Sequence, residues 1–211
     1  MIIIVDNGGQ YVHRIWRSFR EIGVKAKIVE NSTPPNNVLG DNVIGVVLSG
    51  GPDINKSGFS EQYLEHCVKN EVPILGICLG HQIIGRHFGA VVGRGSRGEY
   101  GSTRIRILEK DYIFKSLPDE ISAWASHMDE VKNLPDGFVL TATSDICVIE
   151  GMRHKTLPIF GVQFHPEVAH TPNGKTILRN FYRICLEWGS ADVRIDERTS
   201  ALGHINLNHR E

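Results

Sequence analysis

Two short stretches of the chain carry the residue types that nucleophilic chemistry needs. The first is Gly76-Ile77-Cys78-Leu79-Gly80-His81-Gln82, preceded by the apolar run that starts at Ile74. Ile74 to Ile77 reads as a buried strand. Beyond the cysteine, Ile83, Ile84, His87 and Phe88 recur at helical spacing up to Gly89. A strand, a sharp turn bearing the nucleophile and a helix make a nucleophile elbow, here with Cys in place of Ser. So tight a turn presses backbone against backbone, and glycine is the residue that fits there. It also holds the thiol at a helix N-terminus, whose partial positive charge favours the thiolate. Most lone cysteines are buried core residues; close glycines at a strand end favour the reactive reading for Cys78.

A cysteine nucleophile needs a base, and ten histidines compete for that role. His165 stands out because it follows the apolar run Ile159 to Phe164 and precedes Pro166-Glu167. Proline biases the residue before it to extended geometry. Residues two apart on an extended chain point the same way, so Glu167 can reach the His165 imidazole. A carboxylate there fixes the tautomer and stabilises the imidazolium, the third role of a catalytic triad. His81 is nearer in sequence, but three residues into the helix it reads as a packing or hydrogen-bonding residue. The backbone N–H of Leu79, directly after the nucleophile, is placed to stabilise an oxyanion. Gln82 lies one helical turn past Cys78 and is expected at the same mouth, although a capping or surface role is equally compatible.

The elements around these residues alternate. Met1 to Val5, Lys25 to Val29 and Val43 to Leu48 read as buried strands. A helix bearing Val12, Ile15, Trp16, Phe19 and Ile22 on one face is stopped by Gly23, and a second helix runs near Phe59 to Asn70. Strands alternating with helices predict an α/β fold: three layers, a mostly parallel central sheet with helices on both faces. Ligands bind beyond the carboxyl ends of such strands, where Asp6-Asn7-Gly8-Gly9, Ser49-Gly50-Gly51-Pro52 and Cys78 all fall. After Ala90 the pattern changes. Gly93 to Gly101 reads as a mobile loop. Thr103 to Leu108, Ile121 to Ala125, Phe138 to Thr143, Cys147 to Met152 and Ile159 to Phe164 read as shorter strands of an additional antiparallel or mixed region. Asn173 to Trp188 is a final helix. From Gly189 the composition turns polar, dividing the chain into a domain over 1–188 and a tail over 189–211, where Ile195, Leu202, Ile205 and Leu207 are candidates to dock the tail.

With these motifs assembled, the sequence resembles the triad (class I) glutamine amidotransferases, through G-I-C-L-G-H-Q at 76–82 and G-V-Q-F-H-P-E at 161–167. Within that family it is most similar to the glutaminase parts of GMP synthetases. The narrower likeness rests on D-N-G-G-Q-Y at 6–11, S-G-G-P at 49–52, G-E-Y-G at 98–101, S-H-M-D-E-V at 126–131 and E-V-A-H-T at 167–171. The resemblance implies Cys78, His165 and Glu167 as catalytic residues and the N–H groups of Gly51 and Leu79 as an oxyanion hole. It implies Gln82, Ser126, His127 and Met128 as the grip on the amino-acid end of glutamine. Met128 departs from the Gly usual in two-domain relatives, although its backbone N–H can still serve. The implied reaction hydrolyses glutamine through a cysteine thioester. Its ammonia would pass to a separate ATP-pyrophosphatase subunit that aminates XMP to GMP, with ATP and magnesium used by that partner and no cofactor or metal in this chain.

Composition narrows the alternatives. Basic and acidic residues nearly cancel, 23 against 24, so neither nucleic acid nor a membrane surface is expected as partner. The four cysteines at 67, 78, 147 and 185 form no C-x-x-C pair, and Met1 opens onto a strand rather than a leader. Free thiols then suit a reducing cytoplasm. Ser49-Gly50-Gly51-Pro52-Asp53 also resembles a pyrophosphate-cradling loop, but Ile54 stands where that motif has Ser. Three rival readings remain: an anthranilate or carbamoyl-phosphate type glutaminase, a free-standing cysteine hydrolase, and a catalytically silent regulatory module. The intact Cys78, His165 and Glu167 argue against the last.

Overall fold

A computed structural model describes residues 1–188; the expected docking of Ile195, Leu202, Ile205 and Leu207 lies outside the described residues. Among the described residues, nine strands form one mixed sheet in the order β2-β1-β3-β4-β9-β8-β7-β5-β6, numbered along the chain. Its first half is parallel: β1 (Ile2–Asp6) lies between β2 (Ala26–Glu30) and β3 (Gly45–Leu48), followed by β4 (Ile74–Ile77) and β9 (Ile159–Val162). The second half is antiparallel and contains β8 (Gly151–His154), β7 (Phe138–Thr143), β5 (Val92–Ile107) and β6 (Glu120–Val131).

The apolar run at the N-terminus explains the layering. Alternate residues of β1 face opposite ways. Ile2 and Ile4 join one core with Val12, Ile15 and Phe19 of α1 (Val12–Glu21) and with Ile177, Leu178, Phe181 and Ile184 of α4 (Gly174–Trp188). Ile3 and Val5 join the other with Tyr63, Leu64 and Cys67 of α2 (Ser60–Asn70) and with Leu79, Ile83 and Ile84 of α3 (Leu79–His87). Helices therefore cover both faces of the parallel half, as the sequence pattern predicts. Burying each such aliphatic or aromatic side chain stabilises the fold by roughly 1.5–3 kcal/mol.

Two readings of the second half are corrected. Gly93 to Gly101 is not a mobile loop; it belongs to β5, which pairs with β6 from Val92 to Arg94 and again from Glu99, across an irregularity between Arg94 and Glu99. Backbone pairing and the buried Glu99 side chain hold a stretch whose glycines suggest a loop. Cys147 to Glu150 is not strand either, and β8 starts at Gly151. The Ser144 hydroxyl accepts hydrogen bonds from the N–H groups of Ile146 and Cys147 and turns the chain there.

The sheet curls far enough for β6 to meet the chain just beyond β9. The His165 N–H donates to the Trp124 carbonyl at 2.8 Å, and an isolated antiparallel bridge joins the two residues. The Thr171 hydroxyl completes the clasp, accepting from the Trp124 N–H and donating to the His165 carbonyl. His165 is thereby fixed over the end of the parallel half.

Candidate active site

Cys78 sits between β4 and α3 with φ 51° and ψ −102°, a strained left-handed conformation for a residue with a Cβ. Its N–H donates to the Val162 carbonyl at 2.8 Å, which ties the elbow to β9. The flanking glycines are sterically required. A Cβ on Gly76 would lie 2.5 Å from the Gly80 carbonyl carbon and oxygen, and one on Gly80 would run into the Leu48 carbonyl. The strand-turn-helix read from the sequence is present with its glycines in the expected places.

His165 and Glu167 meet Cys78 from the β9 side. The His165 Nδ1 and a Glu167 carboxylate oxygen are 2.8 Å apart, both groups are buried, and the His165 ring and Cys78 converge on Gly50, its missing Cβ position lying 3.1 Å from the ring and 3.6 Å from the Cys78 Cβ. Burial pushes the imidazole down, but the Glu167 carboxylate and the Cys78 sulfur outweigh it and raise His165 to about 10. The resting pair is therefore an imidazolium beside sulfur, backed by a carboxylate. His81 is the contrast: wholly buried, it hydrogen-bonds the Ile149 carbonyl, and burial lowers it to about 3. It packs rather than titrates, as its position in the helix suggested.

A cavity of about 270 Å³ opens onto Cys78, His165 and Glu167. Its walls are the turns after β1, β3 and β4, including Gly9, Tyr11, Gly50 and Gly51, together with Ser126 of β6. That volume suits an amino acid better than the larger ligands of typical binding clefts. Gly51 has no room for a Cβ, because the Asn7 carbonyl and the Leu79 side chain occupy that space. Gly50 packs equally near the reacting groups, its missing Cβ position being 3.6 Å from the Cys78 Cβ. Leu79 opens α3, where backbone N–H groups lack helical partners.

The four residues expected to grip substrate separate. Ser126 lines the cavity, and its carbonyl lies 4.0 Å from the Cys78 sulfur. Gln82 is buried instead of open to the mouth, its amide donating to the Asp129 carbonyl at 2.7 Å and to Gln163 at 3.2 Å. The His127 imidazole turns away and meets the buried Glu99 at 2.9 Å. Met128 is half-buried, with its side chain against Gly98.

Two neighbours of the reacting groups were missed. The Gln163 amide donates to the Cys78 sulfur at 3.6 Å, and Tyr11 stands edge-on to His165 with ring centroids 4.9 Å apart. Gln163 had a readable signal, since it lies two residues before His165 on extended chain and so shares its face. The other three cysteines are buried, with burial raising each thiol above its ordinary value, so their sulfurs are poor nucleophiles.

Residues 3–185 match the family model described as "Glutamine amidotransferase class-I". The chain is 56% identical over 187 residues to a Thermococcus kodakarensis protein named as a glutamine-hydrolyzing GMP synthase subunit, covering 89% of this chain and all of that one. A Methanocaldococcus jannaschii protein of the same name is 52% identical over 186 residues, covering 88% of this chain and 97% of the relative. Among solved structures, a Thermoplasma acidophilum protein described as a GMP synthase subunit superposes with TM-score 0.82 at 45% identity, over 89% of this chain and 94% of that one. A Thermotoga maritima glutamine amidotransferase shares the fold at TM-score 0.66 and 22% identity, over 93% and 88% of the two chains.

Proposed function

The chain belongs to the class-I glutamine amidotransferases, and on that basis we propose that it is the glutamine-hydrolysing subunit of a two-chain GMP synthase. The observation that carries the chemistry is the buried Cys78–His165–Glu167 chain at the wall of an amino-acid-sized cavity. The Cys78 thiolate attacks the side-chain amide carbon of glutamine and the carbonyl π pair moves onto oxygen. The N–H groups of Gly51 and Leu79 receive that oxyanion; loss of one such donor typically costs about 3 kcal/mol of transition-state stabilisation. The His165 imidazolium gives its proton to the departing nitrogen, the C–N bond breaks and ammonia leaves a γ-glutamyl thioester. His165, now neutral, takes a proton from water as the oxygen attacks the thioester. Collapse releases glutamate and restores the thiolate–imidazolium pair. Glu167 holds the ring through Nδ1 at both stages.

Ser126 and the backbone of His127 and Met128 on β6 are the proposed grip on the amino-acid end of glutamine, with Gln82 supporting β6 through Asp129 rather than touching substrate. The acceptor chemistry, amination of XMP with ATP and magnesium, belongs in this reading to a separate ATP-pyrophosphatase subunit. The relatives are themselves named as one subunit of a synthase and are matched over 97–100% of their length, which supports that division. Ammonia made without a waiting acceptor is lost to bulk water, so the isolated chain is expected to hydrolyse glutamine slowly. Steady-state glutaminase assays test this reading. The rate should rise many-fold when the pyrophosphatase partner, ATP, magnesium and XMP are added. Equal, full rates with and without that partner would instead identify a free-standing hydrolase.

A further inference from the structure

Behind the cavity wall lies a second cluster that the glutaminase chemistry does not use. Glu99 of β5, His127 of β6 and Glu150, just before β8, are all buried, and one ligand atom from each lies within 4.8 Å of the others. Three features distinguish it from an ordinary buried ion pair. His127 Nδ1 faces the Asp129 carbonyl at 3.1 Å. A carbonyl only accepts, so Nδ1 carries a proton, and the other ring nitrogen, Nε2, is turned into the cluster, 2.9 Å from Glu99. The second feature is that the other Glu99 oxygen accepts from the hydroxyls of Thr103 at 2.9 Å and Ser144 at 3.3 Å. The third is Glu150, wholly buried against Ser144 and Glu99 in the same cluster, with neither carboxylate oxygen in a hydrogen bond of normal geometry.

We propose that Glu99, His127 and Glu150 form a structural site for a divalent cation, of the zinc or manganese type. Two buried carboxylates beside a single imidazole are costly unless further positive charge compensates them. A doubly charged ion balances both, satisfies the orphaned Glu150 oxygens and uses the Nε2 lone pair. One imidazole with two carboxylates suits borderline first-row ions. Calcium would need more oxygen ligands and magnesium several retained waters. The Asp129 carbonyl behind His127, and the two hydroxyls behind Glu99, are the outer hydrogen bonds that orient ligands around bound metals.

The ion would clamp three segments that reach the nucleophile. His127 adjoins Ser126, which lines the cavity. The Glu150 carbonyl accepts from the Gln163 N–H at 2.8 Å, and the Gln163 amide touches the Cys78 sulfur. The bound ion thus sets the β6 wall and the Gln163 contact without entering the reaction.

The test uses the full chain carrying Cys78→Ala, which removes the thiolate as a competing metal ligand. After chelation and desalting, it should take up one tight equivalent of Zn²⁺ or Mn²⁺ by calorimetry and elemental analysis. The melting temperature should rise by about 5–10 °C at a hundredfold excess over Kd. Adding Glu150→Gln should weaken uptake by at least about a hundredfold, the upper end of the loss caused by removing outer-shell partners. Co²⁺ titration of the parent gives a second readout independent of that variant's folding, with d–d bands and no thiolate charge transfer expected. Absence of a tight equivalent and of the cobalt bands would overturn the site. So would uptake unchanged by Glu150→Gln, or a Glu150→Gln protein that melts higher than its parent with no metal effect, which would mean that protons balance the cluster.

Discussion

Gly76→Ala tests the elbow without touching any reacting group. An added Cβ would lie 2.5 Å from the Gly80 carbonyl carbon and oxygen and 2.6 Å from the His81 nitrogen, where ordinary contact begins at 3.4 Å. Relief requires 3.4 − 2.5 = 0.9 Å of movement, and the obstacle is helix backbone rather than a side chain that can swing aside. The first turn of α3 must therefore back away from β4, taking the Leu79 N–H and the backbone beside Cys78 with it. Displacing reacting groups by about 1 Å costs on the order of a hundredfold in rate, equivalent to about 2.7 kcal/mol of barrier. Overpacking also costs roughly 1–3 kcal/mol of stability, a drop of about 2–12 °C in melting temperature for a chain of this size. Glutaminase kcat with the synthetase partner present, read beside thermal melts, separates the two effects. Gly40→Ala is the control, since nothing lies within 4 Å of its Cβ position. A folded Gly76→Ala protein with the parent rate would refute the claim that backbone contact shapes the nucleophile.

Cys78→Ala or Cys78→Ser should abolish glutamine hydrolysis, while Cys67→Ala, Cys147→Ala and Cys185→Ala stay active; iodoacetamide mapping should find label at Cys78 and little at those buried thiols. Gln163→Leu should lower kcat by roughly 10- to 150-fold, the 1.5–3 kcal/mol of a hydrogen bond to a charged partner, and an unchanged kcat would remove Gln163 from the site. The raised His165 value carries a pH signature. Between the unfolded value of 6.5 and the folded value of about 10, the native protein binds the extra proton, so its stability falls as pH rises through that window. Glu167→Gln removes the main opposing charge and should flatten the slope; parallel denaturation curves for parent and variant from pH 6.5 to 10 would refute the assignment.

The parallel half was readable because strands buried on both faces are continuous apolar runs, as in Ile2 to Val5 and Ile74 to Ile77. The elbow was readable because a nucleophile in a sharp turn leaves its requirement for glycine in the sequence. Side-chain direction in the second half was not. Gln82 was placed at the mouth by its helical turn past Cys78 and His127 by motif, whereas partners more than 25 residues away, Asp129, Gln163 and Glu99, draw them inward. The β5 segment from 93 to 101 looked like a loop because its pairing lies in backbone hydrogen bonds, which composition does not record. The approach of β6 to His165 is likewise a consequence of sheet curl and long-range closure, invisible to local periodicity.

The central claim is that attack by Cys78 on glutamine frees the amide nitrogen as ammonia, which a synthetase then consumes. Following [amide-¹⁵N]glutamine into GMP, with this chain, the pyrophosphatase partner, ATP, magnesium and XMP, tests it directly. The account predicts ¹⁵N in the exocyclic amine of GMP for the parent chain. For Cys78→Ala it predicts none, with GMP still formed when ammonia is supplied. Labelled GMP from the Cys78→Ala protein, or glutamine hydrolysed by the parent with no nitrogen reaching GMP, would contradict it.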